Sequence, residues 1–157
     1  MSARIPSPAV TTETAAFWSK ANDGVLSVPR CQACGKFHWY PRANCPFCTS
    51  DKIELTPAGG TGTIYSFSVS RRGKDDSYVI AYVTLDEGVT VMTNIVNADA
   101  KALKIGQKVR VALVPSADGQ KVPMFEVISI ASEGRGTEQT SSAELADSGP
   151  SPRPSPR

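Results

Sequence analysis

The sequence predicts a mostly β protein: an N-terminal helical arm, a rubredoxin-like four-cysteine zinc ribbon, a five-stranded OB-fold barrel and a disordered C-terminal tail. Two observations carry this. All four cysteines of the chain fall inside "RCQACGKFHWYPRANCPFC", residues 30–48. Beyond them the hydrophobic period drops to two, and a series of alternating apolar runs follows. The expected division is an arm over 1–26, a ribbon over 27–56, a barrel over 57–130 and a tail over 131–157.

Length and composition set limits. A chain of 157 residues holds one domain, or a small module plus a domain, and 40% hydrophobic content supports a core. The 17 basic and 15 acidic residues leave a net charge of +2, so no global field marks a nucleic-acid binder. No apolar run approaches the length of a membrane span. "MSARIPSPAVTTETAA" has no basic n-region followed by an apolar stretch, so no signal peptide is expected. The expected compartment is the cytoplasm, where thiols stay reduced.

The arm comes first. Residues 1–10 read as loose. "TTETAAFWSKANDG", 11–24, reads as a helix capped by Thr11 or Thr12 and ended by Gly24. Phe17 and Trp18 give it an adhesive face, which either packs on the body of this protein or docks on a partner.

The cysteines come next. Cys31-x-x-Cys34 and Cys45-x-x-Cys48 are two CxxC pairs. Each such turn points two thiolates at one ion, and two together supply a tetrahedral set that suits Zn²⁺. Gly35 follows the first pair, where a knuckle needs positive φ. "CPFC" is also like the second knuckle of rubredoxin, so iron is the lesser alternative. A closed tetrathiolate site has no open coordination position, which makes one structural zinc the expectation. Between the pairs, "GKFHWYPRAN" reads as a short hairpin in which Phe37, Trp39 and Tyr40 supply apolar mass. His38, the only histidine, could be a ligand or a base, but four thiolates complete the site and it reads as an ordinary surface or hairpin residue.

"DKIELTPAGGTG" reads as a linker into the barrel. "TGTIYSFSVS" alternates, with Ile64, Ser66 and Ser68 on one face and Tyr65, Phe67 and Val69 on the other. "SYVIAYVTL" is an apolar, central strand, and "DEG" at 86–88 is a tight turn. "VTVMTNI" sets Val89, Val91, Thr93 and Ile95 on one side. "NADAKALKIG" reads as a short helical turn ending at Gly106. "QKVRVALV" sets Val109, Val111 and Leu113 together. "SADGQ" is a hairpin loop, and "VPMFEVISI" closes with Met124, Ile128 and Ile130 alternating. Five strands with a short helix between the third and fourth is the OB-fold order, with an SH3-like barrel as the rival. From Ala131 the chain has little apolar material and is expected to be disordered.

Two functions compete at this point. OB barrels bind single-stranded nucleic acid through aromatics and a basic groove. Here "RRGKDDS" sets Asp75 and Asp76 beside Arg71, Arg72 and Lys74, a poor phosphate funnel. The second reading comes from a resemblance. "FWSKANDGVLSVPRCQACGKFHWYPRANCPFC" resembles the opening of the DUF35 family: Phe17-Trp18, then Gly24-Val25-Leu26, Arg30-Cys31, Cys34-Gly35, Pro41-Arg42 and Cys45-Pro46-x-Cys48. "GGTGTIYSFSVSRR", "YVIAYVTLDEGVTVMTNIV", "LKIGQKVRVAL" and "PMFEVI" resemble its barrel strands. The chain departs from the family pattern at Tyr40-Pro41 and at Ser77-Tyr78, where prolines are common.

The resemblance implies a non-catalytic accessory subunit of an acyl-CoA-processing complex, and so a hetero-oligomer. The implied partner is a thiolase-like enzyme, either thiolase or aldolase, or a hot-dog-fold hydratase. The residues agree with a chain that is not an enzyme alone: there is no Ser/His/Asp set, no P-loop and no cysteine beyond the metal ligands. Arg71, Arg72 and Lys74 are candidates for the CoA phosphates. Phe17, Trp18, Phe37, Trp39 and Tyr40 are candidates for the partner interface. Neither nucleic acid nor membrane is expected as a partner.

Overall fold

A computed structural model describes residues 5–72 and 76–128; the side chains of Arg72 and Asp76 are outside the description. Lys74, Asp75 and the expected disordered tail lie outside the described residues. One helix and seven strands are present among those described: α1 (Ala15–Asn22), β1 (Ser27–Cys31), β2 (Ile53–Pro57), β3 (Thr61–Arg72), β4 (Asp76–Leu85), β5 (Thr90–Ile95), β6 (Lys108–Pro115) and β7 (Lys121–Val127).

The helix is shorter than 11–24. The Thr11 N–H donates to Thr14 Oγ1 at 3.0 Å and the Thr14 N–H to the Thr11 carbonyl at 3.1 Å. Threonine hydroxyls compete with helical bonding in this way, so the first turn tightens and α1 starts at Ala15. Its end is as expected. Gly24 takes φ 90°, Val25 N–H reaches the Lys20 carbonyl and Gly24 N–H the Ala21 carbonyl, which is the Schellman pattern.

The ribbon corrects two expectations. Residues 53–57, read as linker, form β2 and pair antiparallel with β1, with Pro29 opposite Leu55. The run is short and ends in Pro57, which a two-stranded sheet made only of edges tolerates. The connection between the CxxC pairs is not a hairpin: beyond one bridge from Phe37 to Arg30 it is irregular.

The barrel closes in the order β3-β4-β5-β7-β6, with β3 returning to β6 and a single parallel contact from Ile95 to Phe125. This is the OB arrangement. The 86–88 turn and the 116–120 loop form as expected, with Leu85 N–H donating to Val89 O and Ser116 N–H to Gln120 O. The expected helical turn over 97–106 is instead two separate turns, one held by Asp99 Oδ1 accepting from Lys101 N–H. In β3 the strict alternation is broken by a bulge between Ile64 and Ser66. Ile64 therefore shares the inward face with Phe67 and Val69, and Tyr65 is turned out. In β7 the inward residues are Phe125 and Val127; Met124 is buried too, although it stands outside the central core cluster.

Arm, ribbon and barrel share one core. Phe17, Trp18, Leu26 and Val28 belong to the same buried cluster as Ile64, Val83, Leu85, Val109 and Phe125. Burying one such large side chain contributes about 2–3 kcal/mol. Polar ties reinforce the seam. Gln120 Nε2 donates to the Trp18 carbonyl at 3.0 Å and to Asn22 Oδ1 at 2.9 Å, fastening the β6–β7 loop to the end of α1. The 86–88 turn grips the chain between ribbon and barrel. Gly59 N–H donates to Glu87 Oε1 at 2.7 Å and the Thr61 hydroxyl to Asp86. Gly60, at φ 74°, is required there, because a Cβ would lie 2.7 Å from Val111 Cγ1.

Candidate metal centre

The four sulfurs of Cys31, Cys34, Cys45 and Cys48 all lie within 4.8 Å of one another. Cys31 Sγ is 3.5 Å from Cys48 Sγ, and Cys34 Sγ is 3.7 Å from Cys45 Sγ. A regular tetrahedron with metal–sulfur bonds of about 2.3 Å has edges of about 3.8 Å. The donor set therefore fits a single tetrahedral thiophilic ion.

Two near-identical knuckles build it. In the first, Cys31 N–H donates to Lys36 O at 3.0 Å and Gly35 N–H to Cys31 O at 2.8 Å. In the second, Cys45 N–H donates to Ser50 O at 2.9 Å and Thr49 N–H to Cys45 O at 3.0 Å. Phe47 N–H points at Cys45 Sγ, 3.4 Å away, and stabilises its thiolate. Both knuckles turn through a left-handed residue, Gly35 at φ 73° and Thr49 at φ 61°. A threonine carries no sequence signal for positive φ, yet Thr49 holds the place after CxxC that Gly35 holds in the first pair.

Sharing space polarises the thiols. The N–H of Cys34 brings Cys31 down to about 6. Cys48 is pushed up to about 12: the Ser50 N–H lowers it, but its hydrogen bond to Cys31, burial and the other two sulfurs together outweigh that. Four thiolates this close repel one another, and a bound dication removes the conflict.

The other candidate residues fall elsewhere. Phe17 and Trp18 are 1% and 7% exposed, and Phe37, Trp39 and Tyr40 are half-buried against the same core. Phe17 meets Trp18, Trp39 and Tyr40 edge-on at centroid distances of 4.9, 5.5 and 5.9 Å. Phe17 and Trp18 are thus taken up in the chain's own packing, since a ribbon this small has too little core and takes apolar cover from α1, while Phe37, Trp39 and Tyr40 each keep part of their surface exposed. His38 is not a surface residue. It is buried, with neither ring nitrogen hydrogen-bonded, and burial holds its pKa below the ordinary histidine value. Arg71 is exposed at the end of β3. The side chain of Arg72 and all of Lys74 are outside the described residues, so the basic trio has no geometry to report.

Two half-open clefts accompany the site. One of about 280 Å³ lies between α1 and the ribbon, lined by Glu13, Arg42, Asp51 and Leu55 among others. One of about 230 Å³ lies by Arg110 and Glu126. Both are smaller than the roughly 300–1,000 Å³ of pockets that enclose drug-sized ligands. Among the described residues no helix is long and apolar enough to cross a membrane.

Comparison with known proteins adds to this geometry. Residues 18–54 match the ChsH2 rubredoxin-like zinc ribbon domain and residues 55–114 the ChsH2 C-terminal OB-fold domain. A DUF35 domain-containing scaffold protein of Methanothermobacter thermautotrophicus is 33% identical over 62% of this chain and 79% of its own length. A probable enoyl-CoA hydratase alpha subunit of Thermomonospora curvata is 30% identical over 76% of this chain; the match spans only 39% of that relative. The benzoylsuccinyl-CoA thiolase subunit BbsA of Geobacter metallireducens is 28% identical over 55% of this chain and 60% of its own length. Among solved structures, the Ltp2-ChsH2(DUF35) aldolase superimposes with TM-score 0.69 at 29% identity, covering 77% of this chain and 98% of that one. With its four-cysteine ribbon, its closed five-stranded barrel and these matches, the chain belongs to the DUF35 family.

Proposed function

We propose that this chain is a non-catalytic accessory subunit of an acyl-CoA-processing complex, partnering a thiolase-like enzyme, thiolase or aldolase. The observation that carries the reading is the convergence of all four thiols of the chain on one point. With those thiols committed to a metal, no cysteine remains to act as an acyl-transfer nucleophile. The single histidine is buried with no partner, away from any nucleophile–base pair. The names of the relatives, a scaffold protein, a thiolase subunit and an aldolase pair, support the same role. A hydratase partner is the alternative that the Thermomonospora relative supports.

Within this reading Cys31, Cys34, Cys45 and Cys48 hold one structural zinc, which fixes the ribbon and takes no part in the chemistry. The arm over 1–26, the ribbon over 27–56 and the barrel over 57–130 act as one unit. Arg71, Arg72 and Lys74 contribute to CoA phosphate binding through charge.

The test is reconstitution. The full-length chain is purified with the thiolase-, aldolase- or hydratase-like subunit encoded beside its gene. A stable two-chain complex, with acyl-CoA turnover only when both chains are present, is expected. Turnover by this chain alone, or no association with any such subunit, refutes the reading. Replacing the three basic residues with alanine should raise KM for the CoA substrate; an unchanged KM removes them from the site.

A further inference from the structure

The barrel presents two exposed sides of different chemistry. On β6 and β7 the outward positions include Lys108, Arg110 and Glu126, with Arg110 Nε 2.7 Å from Glu126 Oε1. The outer face of β3, β4 and β5 is different. Its central register row is Ser66–Tyr82–Met92, and the rows on either side consist of threonine, serine, isoleucine and asparagine. No charged side chain interrupts these three rows.

Large apolar groups stand out from that face. Tyr82 is 47% exposed and Met92 64%, side by side on neighbouring strands. Tyr65, thrown outward at the β3 bulge, is 69% exposed. The turn carrying Ile105, itself exposed, is hydrogen-bonded to Ile64 and flanks the same face. Tyrosine and methionine with charge depleted is the composition of interface centres, and a solvated β face ordinarily carries charge. Nucleic acid is a poor occupant, since phosphates need lysine or arginine. A charged protein surface is also a poor occupant. At the centre of the face its carboxylates or ammonium groups would be stripped of water with no counter-charge, since Lys108, in register with Thr63, stands only at the edge.

We propose that the β3–β4–β5 face centred on Tyr82 and Met92 docks the catalytic partner subunit through a patch of that subunit that is itself uncharged. The inference rests on the accessory-subunit reading and says which surface performs it. Phe17 and Trp18 are spent on the chain's own core; of the large apolar groups left outside, Val10, Val25 and Phe47 are scattered over arm and ribbon, whereas Tyr65, Tyr82, Met92 and Ile105 all belong to the barrel. The second- and third-strand face is also where OB barrels commonly take their ligands.

The test uses the full-length, metal-loaded chain titrated with the catalytic subunit encoded beside its gene. Tyr82→Lys and Met92→Lys place a charge on the face at positions already exposed, and metal content with thermal unfolding verifies that each variant folds. Each should weaken binding at least about thirtyfold, the size of one lost interface anchor. Val10→Lys, at an exposed apolar position on the N-terminal arm, should leave binding unchanged. Wild type that binds while both face variants bind equally well overturns this inference and leaves the accessory reading standing. Wild type that binds no catalytic subunit refutes the accessory reading, and this inference with it. A homodimer that Tyr82→Lys dissociates, with partner affinity unchanged, makes the face a self-contact and also overturns it.

Discussion

Gly35 and Thr49 occupy equivalent corners of the two knuckles, each four residues after a cysteine whose carbonyl accepts its N–H. Both are left-handed, at φ 73° and 61°. Glycine adopts that conformation freely, whereas an L side chain costs about 1–2 kcal/mol. Glycine also loses more backbone entropy on folding, about 0.5–1 kcal/mol relative to alanine. Thr49→Gly should therefore stabilise the ribbon by up to about 1 kcal/mol. Gly35→Ala should destabilise it by a similar amount through φ alone, because an added Cβ would meet nothing within 4 Å. Urea unfolding in excess zinc measures both. A Thr49→Gly variant less stable than wild type contradicts the argument.

Metal uptake by the metal-free chain should release protons at neutral pH. Cys31, held near 6, is already mostly thiolate there, whereas Cys48, near 12, carries its proton until the metal displaces it. Affinity must then rise with pH, since the metal competes with protons for the same sulfur. Calorimetric titration in buffers of different ionisation enthalpy reads the proton count directly. No buffer dependence, or net proton uptake, rules this out. Cys48→Ser, which removes the group that holds its proton, should reduce the release along with the affinity.

Trp18→Ala should unfold the chain before it affects any partner. The indole is 7% exposed and packs edge-on against Phe17, inside the cluster that joins arm, ribbon and barrel. Removing a buried tryptophan costs about 3–5 kcal/mol, a large part of the stability of a domain this size. The same loss should appear when unfolding is followed at the ribbon or at the barrel, because the core is continuous. Separate transitions for ribbon and barrel would contradict a shared core.

How much of this was legible follows from what each signal depends on. The ligand set was legible because metal binding needs four sulfurs at fixed local spacing, and Cys31, Cys34, Cys45 and Cys48 carry that spacing in the chain itself. The inward faces of β5 and β6 were legible because alternation runs unbroken from Val89 to Ile95 and from Val109 to Leu113. Alternation misplaced β3, since one extra residue at the bulge exchanges the faces on either side of it. It misplaced β7 for another reason: the adjacent Met124 and Phe125 are both buried, so burial marks no single face of that strand. The sequence left Phe17 and Trp18 open between packing and docking, and it did not reveal that His38 is buried. Whether an aromatic or a histidine in a small module faces out or in depends on distant segments, here on α1 folding back over the loop between the knuckles.

His38 makes the fold acid-sensitive in a way separable from the metal. Its ring is 3% exposed and neither nitrogen has a hydrogen-bond partner. Burial lowers its pKa; the nearby Tyr40 backbone, not placed for a proper hydrogen bond to the ring, only partly offsets that, and the charge of Arg42 adds to the lowering. The sign follows from which state binds the proton. In the unfolded chain the ring titrates near the ordinary value of about 6.5; in the folded chain it stays neutral to lower pH. Stability is therefore complete above that ordinary value and falls as pH drops toward the folded value, by at most about 1.4 kcal/mol per pH unit. Thiol protonation also weakens the ribbon in acid, so the measurement compares wild type with His38→Leu at equal metal content. The leucine variant has no ring to protonate and no unpartnered nitrogens to bury. Its stability relative to wild type should grow as pH is lowered from neutral. Parallel pH profiles for the two chains would show that the buried imidazole has no part in the acid response.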